Sequence, residues 1–234
     1  MLTVGSETIV RRVFAESAGT ALLVGIGTGA IVAAARFGGV PLGAVASAWF
    51  LAVLLPMVLF VEVSGAHLNP AITISLAASG RIAWREVPPY VLGQSVGALV
   101  GSAVVLAAFG DVAHLGATVP ANGDLAAAFL AELSFTAALV AAVFTLADRG
   151  KGRGRWRLLL PPAVVGLSTY VIGPWTGSSL NPARTLAPAI LSATYTDLWV
   201  YLTAVPLGAL LVAAWKPRAV DRRARGPGRT DVSA

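Results

Sequence analysis

The chain has no cysteine, only two histidines and little charge, with Asp, Glu, Lys and Arg making up 12% of its 234 residues. Each shortage excludes something. Without cysteine there is no disulfide framework of the kind that holds small secreted domains together. With two histidines, no thiol and no His-Glu-x-x-His, nothing here assembles a metal site or a nucleophile–base–acid triad, so no metal, no cofactor and no enzymatic activity are expected. Soluble domains carry about 25% charged residues. Half of that, combined with 56% hydrophobic residues and a mean hydropathy of +0.78, fits neither a soluble core of this size nor a disordered chain.

What is present is long uncharged stretches. Six are long enough for a membrane-crossing helix of about 20 residues: Val13–Ala35, Gly43–Val61, Tyr90–Phe109, Leu125–Ala147, Leu158–Gly173 and Leu198–Trp215. Gly173-Pro174 is expected to stop the fifth. The first is too long for a signal-peptide core and lacks a cleavage site, so the N-terminus is expected to be retained. Basic residues set the orientation. Arg11 and Arg12, Arg81 and Arg85, the run Arg149, Lys151, Arg153, Arg155 and Arg157, and the tail from Lys216 to Arg229 all fall on one side, which is therefore cytoplasmic. The opposite loops hold Asp111, Asp124 and Asp197 with Arg36. The formal net charge of +6 thus reflects topology and contact with anionic headgroups, not nucleic acid. Trp156 and Trp215 near span ends suit the interfacial belt. Arg exceeds Lys fifteen to two and Ala is abundant, which places the protein in a bacterial cytoplasmic membrane.

The sequence also repeats itself at an offset of about 111 to 116 residues. Ala15-Glu16 answers Ala131-Glu132, and Ser64-Gly65-Ala66-His67-Leu68-Asn69-Pro70-Ala71 answers Gly177-Ser178-Ser179-Leu180-Asn181-Pro182-Ala183. Tyr90 with Gly97 answers Tyr201 with Gly208. The expected organisation is an N-terminal segment 1–12, a three-span repeat 13–110, an extracellular loop 111–124, a second repeat 125–216 and a basic tail 217–234. Three spans per repeat make the halves inverted in the membrane.

Asn is a strong N-cap and Pro is favoured at the first helical position, where its missing N–H costs nothing. Asn69-Pro70-Ala71 and Asn181-Pro182-Ala183 therefore read as helix starts, giving half-helices 69–79 and 181–191. Each is about 15 Å long, half of a hydrocarbon core of about 30 Å. Entering from opposite sides, they meet N-terminus to N-terminus near the midplane. There the partial positive charge of both ends repels cations, and two Asn amides can donate to one solute oxygen, interrupting a proton wire.

On these motifs, together with Asn181-Pro182-Ala183-Arg184 and the two Tyr-x6-Gly-Ala runs, the chain resembles the aquaporin and glycerol-facilitator (major intrinsic protein) family over roughly residues 10–216. The resemblance implies an all-α membrane protein of six transmembrane helices plus two half-helices, commonly a homotetramer with one pore per subunit. It implies a selectivity filter of Trp49, Thr169, Ser178 and Arg184, and pore loops supported by Glu16 and Glu132. His67, where the family also has His, is either a structural hydrogen-bonding residue or a pH-sensitive gate. Glu62 has no assigned role. Trp49 with small Thr169 and Ser178 is similar to glycerol facilitators and nodulin-like intrinsic proteins, as is Leu202, whereas Thr185 in place of Asp, and Ala189, point to water channels. The implied activity is passive conduction of water and small uncharged solutes such as glycerol. Conduction of water alone, of ammonia or of neutral metalloid hydroxides stays open. A coupled secondary transporter is the competing class, because it also uses inverted repeats and half-helices. Gly93, Gly97 and Gly101 form a small-residue row for close helix packing, and Gly25-x-Gly27-x-x-Ala30 is read as packing rather than a dinucleotide fingerprint.

Overall fold

A computed structural model describes residues 7–148 and 155–215, with the backbone alone at Asn122 and Arg155. The basic residues Arg149, Lys151 and Arg153 and the tail from Lys216 onward, with the lipid-contact role expected of it, lie outside these residues. The described residues form helices α1 (Ile9–Phe37), α2 (Leu42–Phe60), α3 (Pro70–Ala78), α4 (Val87–Phe109), α5 (Leu125–Ala147), α6 (Leu160–Val171), α7 (Gly173–Thr176), α8 (Pro182–Leu191) and α9 (Leu198–Trp215), with short 3-10 turns between them. Among the described residues, five helices are long and apolar enough to cross a membrane by themselves. The remaining expected span, the fifth, is assembled from pieces. A 3-10 segment, Arg155–Leu159, runs into α6, whose first turn holds Pro161 and Pro162, where their missing N–H groups cost no helical bond. Gly173-Pro174 ends it as expected: α6 stops at Val171 with Ile172 as its C-cap, and a separate single turn, α7, starts at Gly173.

Two other boundaries shift. The helix α1 begins at Ile9 rather than Val13, because the Thr8 side chain accepts from Arg11 N at 3.4 Å and caps it there. The helix α4 begins at Val87, with Pro88 and Pro89 in its first turn, three residues before the expected Tyr90.

The helices are inside-out relative to those of a soluble protein. On α4, Leu92, Val96, Val100 and Val104 form an exposed i, i+4 stripe, while Gly93, Gln94, Gly97, Ala98, Gly101 and Ser102 are buried. Large apolar side chains outside and small or polar ones inside suit a lipid solvent, in which helix association depends on close backbone approach. The glycines supply that approach. A Cβ on Gly97 would collide with the Ser17 carbonyl oxygen, and one on Gly101 would stand 2.5 Å from that of Ala21. In the second half, a Cβ on Gly208 would collide with the Leu133 carbonyl in the same way. Gly93-Gln94-Ser95-Val96-Gly97 also has the spacing of a hydrolase nucleophile elbow, but it lies inside α4 with no strand before it, so the match carries no chemistry.

The packing reproduces the repeat: α1 packs on α4 as α5 packs on α9, and α2 packs on its counterpart α6. The half-helices are exchanged, with α3 of the first half packing on α9 and α8 of the second half on α4. This exchange carries both half-helix N-termini to the centre of the bundle.

Candidate functional site

The site begins with two helix caps. Asn69 Oδ1 accepts from Ala71 N at 2.9 Å, and Asn181 Oδ1 accepts from Ala183 N at 3.0 Å and Arg184 N at 3.4 Å. With each oxygen committed to its own helix, each amide nitrogen donates across the pseudo-symmetry axis. Asn69 Nδ2 donates to the Leu180 carbonyl at 2.7 Å, and Asn181 Nδ2 to the Leu68 carbonyl at 2.8 Å. One N–H of each amide is thereby used in tying the loops together, and one remains.

The loops entering the half-helices are copies of each other. Ala66 and Ser178 both have φ 47°, Leu68 and Leu180 both have φ 54°, and Gly65 and Gly177 are also left-handed at 90° and 79°. A non-glycine residue in that region costs about 1 kcal/mol, so the loops need compensation. Two buried carboxylates provide it. Glu16 accepts from His67 N at 2.9 Å and Leu68 N at 2.6 Å, and Glu132 accepts from Ser179 N at 2.9 Å and Leu180 N at 3.0 Å. Tyr90 OH donates to the Ser64 carbonyl at 2.8 Å, and Tyr201 OH to that of Thr176 at 2.6 Å.

Between the loops and the helices lies a cavity of about 50 Å3, room for about three waters at about 15 Å3 each. Loop residues Gly65 to Asn69 and Ser179 to Asn181 form one wall, with Ile72 and Arg184 from the half-helices. The opposite wall is apolar and includes Leu23, Trp49, Val53, Met57, Leu139, Val143 and Val165.

Arg184 is fully buried. Its Nη1 donates to the Gly116 carbonyl at 2.7 Å and its Nη2 to that of Gly177 at 3.2 Å, while the guanidinium carbon lies 4.8 Å from the Trp49 ring centroid. Arg184 Nε is buried with no protein partner among the described residues. The Gly116 carbonyl is presented by a left-handed turn: Ala113, His114, Leu115 and Gly116 have φ of 49°, 50°, 53° and 71°. Leu115 is fully buried with Val32 and Val105 and anchors that turn.

The four expected filter residues separate into two pairs. Trp49 and Arg184 meet and line the cavity. Thr169 and Ser178 sit together around Gly173, where a Cβ would be 3.7 Å from one and 4.0 Å from the other. The Thr169 hydroxyl is turned back to the Val165 carbonyl at 2.9 Å, and Ser178 Oγ bonds Ser168 Oγ at 2.8 Å. Neither is among the residues lining the cavity. His67 lines it, with Nδ1 3.2 Å from Thr73 Oγ1 and its ring centroid 5.0 Å from that of Tyr90, the two rings tilted by 42°.

Several participants were not singled out from the sequence. Gln94 Nε2 donates to Glu16 Oε2 at 2.8 Å and Thr73 Oγ1 at 2.9 Å. Thr118 lies 3.2 Å from Thr185, which in turn bonds Ser179 Oγ. A polar residue inside an otherwise apolar span was the available signal for Gln94; Gly116 and Thr118 sit in a loop without a motif.

Comparison with known proteins agrees with this geometry. Residues 3–215 match the major intrinsic protein family. Aquaporin NIP1-1 of Zea mays is 34% identical over 90% of this chain and 74% of its own. Aquaporin NIP6-1 of Arabidopsis thaliana is 36% identical over 88% of this chain and 68% of its own. The aquaglyceroporin of Plasmodium falciparum superposes with a TM-score of 0.78 at 27% identity, covering 93% of this chain and 99% of that structure. The chain is an integral, multi-pass membrane protein and belongs to the major intrinsic protein family of passive channels, not to an enzyme family.

Proposed function

We propose that the chain forms a passive pore for water and small uncharged solutes such as glycerol, and that it excludes protons and ions. The observation that carries this reading is the cavity itself, bounded by the Asn69 and Asn181 amides, the buried Arg184 guanidinium and an apolar wall headed by Trp49. A polyol is two-faced: its hydroxyls match the donors and loop groups on one side, and its carbon skeleton matches the apolar wall on the other. The N-termini of α3 and α8 add two partial positive charges at the centre, and Arg184 adds a full one, all of which oppose a cation. A coupled transporter would bind its cation at Glu16 or Glu132, but both carboxylates already clamp loop N–H groups.

In this reading Trp49, Thr169, Ser178 and Arg184 form the selectivity filter, Asn69-Pro70-Ala71 and Asn181-Pro182-Ala183 the central constriction, and Glu16, Glu132 and His67 the loop support. The family resemblance supports a homotetramer, and the Arg-rich composition and one-sided basic loops support a bacterial cytoplasmic membrane with both termini cytoplasmic.

Stopped-flow light scattering on proteoliposomes tests the reading. An impermeant osmolyte is expected to give fast shrinkage, and glycerol fast shrinkage followed by fast re-swelling. Shrinkage without re-swelling means a water-only pore. Neither flux above that of empty vesicles overturns both, and ammonia and arsenous acid are then the solutes to measure.

A further inference from the structure

Gly27 lies in the middle of α1, outside every motif of the pore, and is buried. A Cβ built on it would stand 2.6 Å from Cε3 and Cζ3 and 2.7 Å from Cδ2 of the Trp49 indole. The six-membered ring of Trp49 therefore rests directly on the bare backbone of α1. The same indole lines the cavity and carries the Arg184 guanidinium 4.8 Å from its centroid. Arg184 in turn is fixed by the Gly116 and Gly177 carbonyls.

We propose that Gly27 is a specificity-determining residue: by receiving the Trp49 ring it holds the indole back from the lumen and sets the width of the pore beside Arg184. The proposal rests on the reading of this cavity as a pore for small neutral solutes. The reasoning is steric. Even a methyl at position 27 needs about 3.5 Å to carbon, against 2.6 Å available, so the ring must retreat by about 0.9 Å. It retreats away from α1. The Arg184 side cannot yield, because both of its anchoring carbonyls are backbone, so the displacement is taken from the lumen. A solute as wide as glycerol feels this before water does. Gly27 also differs in kind from the glycines of α4, whose missing Cβ atoms face backbone of α1 rather than a pore side chain.

The test is a double-mutant cycle on the reconstituted full chain, measuring water and glycerol permeability for wild type, Gly27→Ala, Trp49→Ala and the double variant. Gly27→Ala is expected to lower glycerol permeability about tenfold, the low end of what one methyl group decides in an apolar site, and to lower water permeability by a smaller factor. With the ring gone, the same glycine substitution is expected to change neither flux. An equal loss in the Trp49→Ala background overturns the proposal, since it would mean that Gly27 serves helix packing and not the ring. An unchanged glycerol-to-water ratio in Gly27→Ala overturns it as well. If wild type passes water but no glycerol, the polyol reading fails by itself, and the cycle is decided on water flux alone. If neither solute passes, a crystal structure of Gly27→Ala decides: a displaced indole on an unmoved α1 supports the proposal, and an unmoved indole overturns it.

Discussion

The two Asn-Pro-Ala loops share caps, left-handed residues, carboxylate clamps and tyrosine bonds, yet their surroundings differ. Three positions after Asn69 stands Ile72, and three after Asn181 stands Arg184; both line the cavity. On the helix after each loop, the place of Gln94 in the first half is taken by Val205 in the second. Thr73 receives Gln94 and faces His67, whereas its counterpart Thr185 faces Thr118 and Ser179. What the halves share builds the shape of the cavity, and in the proposed reading what they do not share decides what passes. A symmetric scaffold with Ile at both positions would offer the same half-helix ends but no fixed charge.

The comparison can be broken most severely at the clamps. Removing either carboxylate orphans two buried N–H groups, each worth about 1–3 kcal/mol. Glu16→Ala orphans the Gln94 amide as well, so its loss is expected to exceed that of Glu132→Ala by about 1 kcal/mol. Thermal unfolding in detergent measures both; a lower midpoint for Glu132→Ala would reverse the assignment of the richer network to the first half.

A smaller effect on the fold and a larger one on selectivity is expected at the unmatched pair. Arg184→Val removes a full charge from a low-dielectric site, where even at an effective dielectric of 20 a unit charge at 4 Å is worth about 4 kcal/mol. Cation leak through proteoliposomes should rise at least about tenfold, and Ile72→Val should leave it unchanged. Equal leak in the two variants would mean that the asymmetry is irrelevant to charge exclusion.

The smallest effect sharpens the symmetric side. Tyr90→Phe and Tyr201→Phe each delete one hydrogen bond to a loop carbonyl, worth about 1 kcal/mol. The two are expected to destabilise alike and to leave the glycerol-to-water ratio unchanged. A change in that ratio for either one would give the tyrosine a role beyond holding its loop.

Much of this architecture was legible in the chain. The helices Leu125–Ala147 and Leu198–Trp215 fall on the residues that hydropathy marks, and both half-helices start at the proline after the capping asparagine. Capping chemistry is local, and local chemistry can be read. The piecewise fifth span was blurred because hydropathy does not register a 3-10 entry at Arg155–Leu159 or a restart after Ile172. The turn at Ala113–Gly116 was invisible for a different reason: Ala and Leu rarely adopt positive φ, and what accompanies it is the packing of Leu115 against Val32 of α1 and Val105 of α4. Of the residues proposed for the filter, Trp49, reached by counting back from Asn69, and Arg184, which directly follows Asn181-Pro182-Ala183, lie at the cavity wall. The orientation of the Thr169 hydroxyl, toward its own helix, is set by a carbonyl four residues earlier that counting does not see.

The central claim is that the meeting point of α3 and α8 passes neutral solutes and refuses protons. The direct measurement is internal pH, followed with an entrapped dye in proteoliposomes under a pH gradient while osmotic water flux is recorded on the same preparation. The account predicts water flux well above that of empty vesicles, with a proton leak equal to theirs at every protein-to-lipid ratio. A proton leak that rises in proportion to the water flux would contradict it.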